Sequence, residues 1–286
     1  MTLMAILQDV DKCMRCNGCV IACKREWNMK LPTALDSTVI PQRSVVGPSQ
    51  RLAIKSQKRV DMGPFVRFTC WHCPSPPCAA GCPYGAIVKE GTGAVSVDVN
   101  GLCDPDTCRV KAGYPTNTGP KPCEIECQRG GYPKVGVPYE GTTAPKMNKC
   151  TLCTGKAGAD TDPNLNAAKS LPTRATAAEI AAVPEKAHEP ACVSSCPAKA
   201  MKWDTRDNIL TYLNDSANGF TLPDGTKGWL GNGSMFWASK KTVLAPPKAD
   251  PFIEDHIAPM TASMLSGLGG KMLVPTLVVG GLAAIS

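Results

Sequence analysis

The chain has 286 residues, of which 43% are hydrophobic but only 5% aromatic, with 26 glycines and 26 prolines, a loop-rich composition poor in core-filling side chains. The formal net charge is +7, yet no basic run alternates with aromatic residues as a nucleic-acid groove requires, so that class is excluded. Sixteen cysteines are what the rest of the chain must accommodate.

The N-terminus, MTLMAILQDVD, has no basic start, no long apolar run and no twin-arginine pair, so it is not expected to be a signal peptide. Met4 to Leu7 reads as a short strand. It feeds DKCMRCNGCVIACKREW, where Cys13, Cys16, Cys19 and Cys23 stand at the spacing C-x2-C-x2-C-x3-C. That is the ligand run of a bacterial-type [4Fe–4S] ferredoxin, in which three cysteines hold one cubane and the fourth reaches another. A tight loop lets three thiolates converge, and Gly18 is expected to permit its turn. The fourth cysteine starts a helix and faces away. One C-x2-C could equally be a zinc knuckle, but four cysteines within eleven residues are far more specific. Residues 31–60 form a connector without a clear period.

Phe65 to Phe68 (FVRF) is a second strand, leading into Cys70, Cys73, Cys78 and Cys82 at C-x2-C-x4-C-x3-C, with Pro83 next. The runs GAIV and AVSVDV predict a hairpin around Glu90–Gly93, and Val95, Val97 and Val99 alternate with Ser96 and Asp98 as in a half-buried strand. Strand, ligand loop, short helix and strand make half a ferredoxin. A second half follows to about Val137 and carries Cys103, Cys108, Cys123 and Cys127 at C-x4-C-x14-C-x3-C. Met147 to Cys150 opens the fourth motif, in which Cys150 and Cys153 are separated by 38 residues from Cys192 and Cys196. Its interior reads as solvated loop with a short helix near Ala177–Ala182. AMKW closes this half as a strand, and Asp207 to Leu213 reads as a capped helix. Residues 216–260 are Gly- and Pro-rich and are expected to wrap over a partner. Residues 272–286 are apolar and uncharged, about 22 Å long as a helix, which falls short of the roughly 30 Å hydrocarbon core. The expectation is a terminal helix docked in the bilayer against a membrane subunit, with a buried core helix as the alternative.

Sixteen cysteines divide into four sets of four with none left over, the number that four cubanes need. Disulfide staples would also use an even count, but clustered C-x2-C spacings suit clusters better. Four thiolates on an oxidised cubane leave about −2 each, so four clusters add about −8 and offset the excess of Lys and Arg. Cluster binding would also supply folding free energy that the sparse core lacks. A structural or regulatory zinc protein on the same cysteines is the rival class. His72 lies inside a ligand loop and could hydrogen-bond a cluster sulfur, or be a histidine at the surface or just behind the ligands with no unique role. His188 and His256 sit in polar loops. No nucleophile elbow, Walker loop or dinucleotide fingerprint is present, the GTG at 91–93 and GNG at 231–233 read as turns, and no catalytic residue is expected.

In motif order the chain resembles the four-cluster ferredoxin-like iron–sulfur (beta) subunits of membrane-bound molybdenum or tungsten oxidoreductases, through the cysteines between residues 4 and 215. Glu26–Trp27–Asn28, Gly231–Gly233, Pro247–Lys248 and the apolar end are similar to the respiratory formate dehydrogenase branch. The dimethyl-sulfoxide, polysulfide and nitrate reductase types are the alternatives. The resemblance implies an α+β fold of two ferredoxin-like (βαβ) double-cubane domains, one inserted in the other. Residues 1–60 and 143–215 would form one, residues 61–142 the insert, and residues 216–286 an extension with the apolar helix. It implies that ligands cross between motifs. Cys13, Cys16 and Cys19 would share a cluster with Cys196, and Cys150, Cys153 and Cys192 one with Cys23. Cys70, Cys73 and Cys78 would pair with Cys127, and Cys103, Cys108 and Cys123 with Cys82. The implied function is electron relay through four [4Fe–4S] clusters between a molybdo- or tungsto-pterin catalytic subunit and a membrane cytochrome b or quinone-binding subunit. The implied place is the membrane, on the periplasmic face after export with a partner; the cytoplasmic face stays open. Two departures stand out: the third motif has gaps of four and fourteen and Gln128 where the family has proline, and the fourth has a longer interior.

Overall fold

The computed structural model describes residues 2–27, 51–56, 63–97, 102–127, 134–136, 146–153 and 189–244. Its strands are β1 (Met4–Asp9), β2 (Ala53–Ser56), β3 (Phe65–Phe68), β4 (Val88–Lys89), β5 (Val95–Ser96), β6 (Lys134–Gly136), β7 (Lys146–Asn148), β8 (Met201–Thr205), β9 (Trp229–Leu230) and β10 (Met235–Ala238). The α-helices are α1 (Gly18–Glu26), α2 (Pro77–Ala80), α3 (Cys108–Lys111), α4 (Pro122–Ile125), α5 (Ala191–Ser194) and α6 (Arg206–Asn214). Short helices beside small antiparallel ladders make the fold α+β.

β1 is buried along its whole length because both of its faces are covered. It pairs antiparallel with β8 and parallel with β10, and β9 closes the sheet in the order β8-β1-β10-β9. Ile6, Met235 and Trp237 face one way, into a cluster with Cys19, Cys23, Cys150 and Cys192. Ala5, Leu7, Phe236 and Ala238 face the other way, onto Ile209, Leu213 and Phe220. One face of the sheet therefore carries a conventional apolar core and the other carries the cysteine loops.

The cover on the conventional face is α6. The Thr205 hydroxyl caps it, accepting from Asn208 N–H at 3.2 Å, and Asp207 sits in the first turn. Ile209 and Leu213, four residues apart, form its buried stripe, and the capped helix expected from Asp207 to Leu213 is present.

Most predicted strands are present: β1, β3, β8 and the β4–β5 hairpin. Five are additional, two of them the β6–β7 ladder, in which Val135 stands opposite Met147. β2 lies in the expected connector and pairs with β3, with Ala53 opposite Phe68 and Ile54 opposite Arg67. β9 and β10 lie in the Gly/Pro-rich stretch expected to wrap over a partner, and β10 is instead a fully buried sheet strand. In β5 the expected half-buried alternation is corrected, because Val95 and Ser96 are both buried. The helix expected near Ala177–Ala182, His188, His256, Gln128, Pro247–Lys248 and the apolar run 272–286 lie outside the described residues. No helix among the described residues is long and apolar enough to cross a membrane.

Candidate metal centre

Three C-x2-C loops share one backbone device. The residue before the second cysteine is left-handed in each: Arg15 at φ 55°, His72 at φ 53° and Leu152 at φ 54°. None is a glycine, and the conformation costs about 1–2 kcal/mol for an L-residue. In return each backbone N–H turns back onto the first thiol of its loop, His72 N–H reaching Cys70 Sγ at 3.4 Å and Arg15 and Leu152 doing the same for Cys13 and Cys150. The expected role of Gly18 is corrected. It opens α1 with an ordinary φ, and the left-handed step before it belongs to Asn17 at φ 58°, a residue type that tolerates it.

The loops converge on cavities. One of about 380 Å³, counting its open mouth, is walled by Cys82, Cys103, Cys108 and Cys123. A second, of about 280 Å³, is walled by Cys23, Cys150, Cys153 and Cys192. A third, of about 360 Å³, is walled by Cys13, Cys16, Cys19 and Cys196. Each set mixes cysteines from two motifs. Of the remaining four, Cys70 and Cys127 pack on Ala53 and Phe68, Cys78 carries the mutual repulsion of Cys70 and Cys73, and α2 packs on α4. Among the described residues no three His, Cys, Asp or Glu side chains close on a single-ion position. A four-iron cluster holds each thiolate on a different iron, so its ligands stand farther apart than those of one ion.

The long gap of the third motif folds back on itself. Asn117 Oδ1 accepts from the N–H groups of Arg109 and Val110, both at 3.1 Å, and the Arg109 side chain donates to the carbonyls of Thr116 (3.1 Å) and Pro120. Lys121 Nζ donates to Asn117 O at 3.0 Å, and Glu124 Oε2 accepts from Lys121 N–H at 2.9 Å, capping α4. The fourteen intervening residues thus return Cys123 to the cavity of Cys108.

Electrostatics at these thiols are those of an anion site waiting in a low-dielectric core. Burial, then the neighbouring Cys192, pushes Cys19 from 9.0 up to about 12. Burial and Cys192 do the same for Cys153, and burial raises Cys78 to about 11. Cys150 moves the other way. Burial opposes its ionisation, but the Arg67 guanidinium, the Leu152 N–H and the Thr69 hydroxyl together outweigh it. Further N–H donors reach sulfur from Met147 to Cys103 (3.3 Å) and from Ala200 to Cys196 (3.4 Å).

Cations are buried beside these sulfurs. Lys149 is wholly buried, donating to Cys150 O at 2.9 Å and to Val95 O. Arg51 lines the Cys23 cavity, donates to Asn148 Oδ1 at 2.6 Å and stacks on Trp27 at 3.9 Å. Thiol quartets, N–H donors and buried cations together fit a polyanionic iron–sulfur cluster. His72 is fully buried. Its Nδ1 accepts from Val95 N–H at 2.9 Å, which leaves the neutral ring's proton on Nε2. Burial, then Lys149, Lys89 and Arg67, holds its pKa well below the ordinary value. Sequence reading missed Arg67, Arg51 and Lys149. A lone Arg between Val66 and Phe68 was the available signal.

No protein-family model matches the chain. Individual proteins do. A sulfite dehydrogenase subunit of Allochromatium vinosum is 27% identical over 207 residues, 70% of this chain and 68% of the relative. The formate dehydrogenase iron-sulfur subunit of Wolinella succinogenes is 28% identical over 149 residues, 51% of this chain and 58% of the relative. The thiosulfate reductase electron transfer subunit of Salmonella typhi is 26% identical over 202 residues, 71% of this chain and 76% of the relative. The matched stretch spans between 58% and 76% of these relatives. The chain is a homologue of iron–sulfur and electron-transfer subunits of oxidoreductases.

Proposed function

We propose that this chain is the electron-transfer subunit of a molybdenum or tungsten oxidoreductase complex, holding four [4Fe–4S] clusters between a pterin-bearing catalytic subunit and a membrane cytochrome b or quinone-binding subunit. The observation that carries the proposal is the crossed walling of cavities by four cysteines apiece. The proposed ligand sets are Cys13, Cys16, Cys19 and Cys196; Cys23, Cys150, Cys153 and Cys192; Cys70, Cys73, Cys78 and Cys127; and Cys82, Cys103, Cys108 and Cys123. When bound, such clusters supply one-electron carriers, and the chain supplies thiolates, N–H donors and cations around them.

The sets form a row in the order just given. Support comes from Cys19 acting electrostatically on Cys192, Cys70 on Cys150, and Cys78 packing with Cys82, Cys103 and Cys123. The two-domain ferredoxin-like division, residues 1–60 with 143–215 and residues 61–142, belongs to the same proposal. So does a terminal helix at 272–286 docked at the membrane, with the periplasmic face favoured if the partner is formate dehydrogenase-like. A sulfur-oxyanion partner is the second reading, because the sulfite and thiosulfate relatives match 70% and 71% of this chain at 27% and 26% identity, whereas the formate relatives match 51% at 28% or 74% at 21%.

The deciding experiment is metal analysis of the complex purified without oxygen, together with identification of the large subunit that accompanies it. After correction for the partner's clusters, about sixteen iron and sixteen sulfide per chain are expected. About twelve would remove the third-motif centre, and stoichiometric zinc would give the cysteines to the rival class. Deleting Lys271–Ser286 should release the cluster-loaded chain from membranes. Loss of the clusters instead would make that run part of the core.

A further inference from the structure

We infer that Arg67 sets the redox poise of one particular centre, the one walled by Cys23, Cys150, Cys153 and Cys192, by holding its reduced state. The inference rests on the four-cluster reading above. Arg67 is 1% exposed, in the middle of β3. Its backbone is fixed on both sides: the N–H donates to Gln8 Oε1 at 2.7 Å, and the carbonyl accepts from Trp237 Nε1 at 2.8 Å. Its guanidinium donates through Nη1 to Met235 Sδ at 3.1 Å, and through Nη2 to Cys192 Sγ at 3.5 Å and Cys150 Sγ at 3.8 Å. All of its side-chain partners among the described residues are sulfur atoms, and its Nε is buried without one.

A guanidinium cannot shed its charge at any physiological pH. An unneutralised cation in a dry core is strongly unfavourable, so the site must supply an anion. Two cysteines of a single centre are the groups placed to do so, as thiolates bound to iron. Among the described residues the wall of that cavity adds Arg51 and contains no carboxylate, whereas the Cys82 cavity is walled by Asp104 as well as Lys121. A fixed positive charge interacts more favourably with the reduced cluster, which carries one more electron, than with the oxidised one. Removing the charge must therefore lower the reduction potential of this centre before any other. The second place in the row would then hold an electron rather than resist one.

The test compares the wild-type complex with Arg67→Gln and Arg67→Lys, each analysed for iron and sulfide and titrated potentiometrically by EPR. At the wild-type midpoint, Arg67→Gln should lower the reduced-to-oxidised ratio of this centre about tenfold, equivalent to about 59 mV for a one-electron couple. Arg67→Lys should lower it less, and the Cys82 centre should not move. Because either variant could lose the cluster, a second measurement uses the wild type alone. Labelling with arginine that carries 15N only in its guanidinium group should give a nitrogen hyperfine coupling on the EPR signal of this centre. An unchanged ratio in a fully loaded Arg67→Gln complex, an equal shift at all centres, or no nitrogen coupling would each overturn the inference. A wild-type complex without clusters would instead overturn the reading on which it rests.

Discussion

Arg15, His72 and Leu152 have nothing in common as side chains, yet the fold holds them in one backbone state at equivalent steps of three ligand loops. What they share is an N–H delivered to the first sulfur. Because the N–H does the work, residue type leaves little trace there, whereas Gly18 looks like the turn residue and is not. Gly18→Ala is therefore expected to be harmless: its new Cβ would meet Cys16 Sγ and Ser195 O at 3.6 Å, ordinary contact. Thermal denaturation of the loaded complex should place the variant within about 1 kcal/mol of wild type. The thiols make a second prediction at this scale. Cys19 and Cys153, pushed up from 9.0 to about 12, hold protons throughout the neutral range when no iron is bound. Iron must displace those protons, so cluster retention is strongest at high pH and weakens as pH falls. Iron loss to a chelator should be faster at about pH 6 than at about pH 8.5, and a rate independent of pH would contradict this.

At the scale of elements, legibility followed period and punctuation. α6 has a Thr cap and an i, i+4 apolar pair, the β4–β5 hairpin has Glu90–Gly93, and β1, β3 and β8 are short apolar runs beside cysteine motifs. β2 mixes Lys with Ala and Ile, and β10 is buried on both faces, so neither offers the alternation by which strands are read. β10 nevertheless reaches the proposed metal centres, and the contact is made through the glycine just ahead of it. Gly233 lies flat against the loop between Cys70 and Cys73, where Ser234 N–H donates to Trp71 O at 3.1 Å. A Cβ at Gly233 would overlap the carbonyl oxygens of Trp71 and His72, backbone atoms that cannot swing aside. Gly233→Ala should cost about 1–3 kcal/mol as overpacking and displace this ligand loop. The readout is iron content, expected to drop by about one cluster's worth. Gly18→Ala, which lies inside another ligand motif and meets only ordinary contacts, is the control and should keep its full iron content.

For the molecule as a whole, the proposed number of centres follows from the cysteine count, but their proposed grouping does not. Spacing alone assigns each motif its own cluster, and only the resemblance to two-cluster ferredoxins suggests that the last cysteine of a motif serves another. The physical reason is short-range. Cys192 lies within α5 and Cys196 just beyond it, where the chain turns at Pro197, so the two thiols point into different cavities, beside Cys23 and beside Cys19 respectively. α5 packs on α1, which places Cys192 at the cavity of Cys23 and Cys196 at the cavity of Cys19. Cys196→Ser is therefore expected to damage the centre of Cys13, Cys16 and Cys19, which lies far away in sequence. The centre of Cys150, Cys153 and Cys192 would keep all four of its thiolates, with Cys23 as the fourth. A serine oxygen is a harder donor than a thiolate, so the affected cluster should show a changed EPR signal or convert to a three-iron form. Cluster-resolved EPR of the loaded complex, with Cys23→Ser as the reciprocal variant, separates the two arrangements. If Cys196→Ser instead alters the Cys150 centre and spares the Cys13 centre, each motif binds its own cluster, and the row of crossed centres along this chain is wrong.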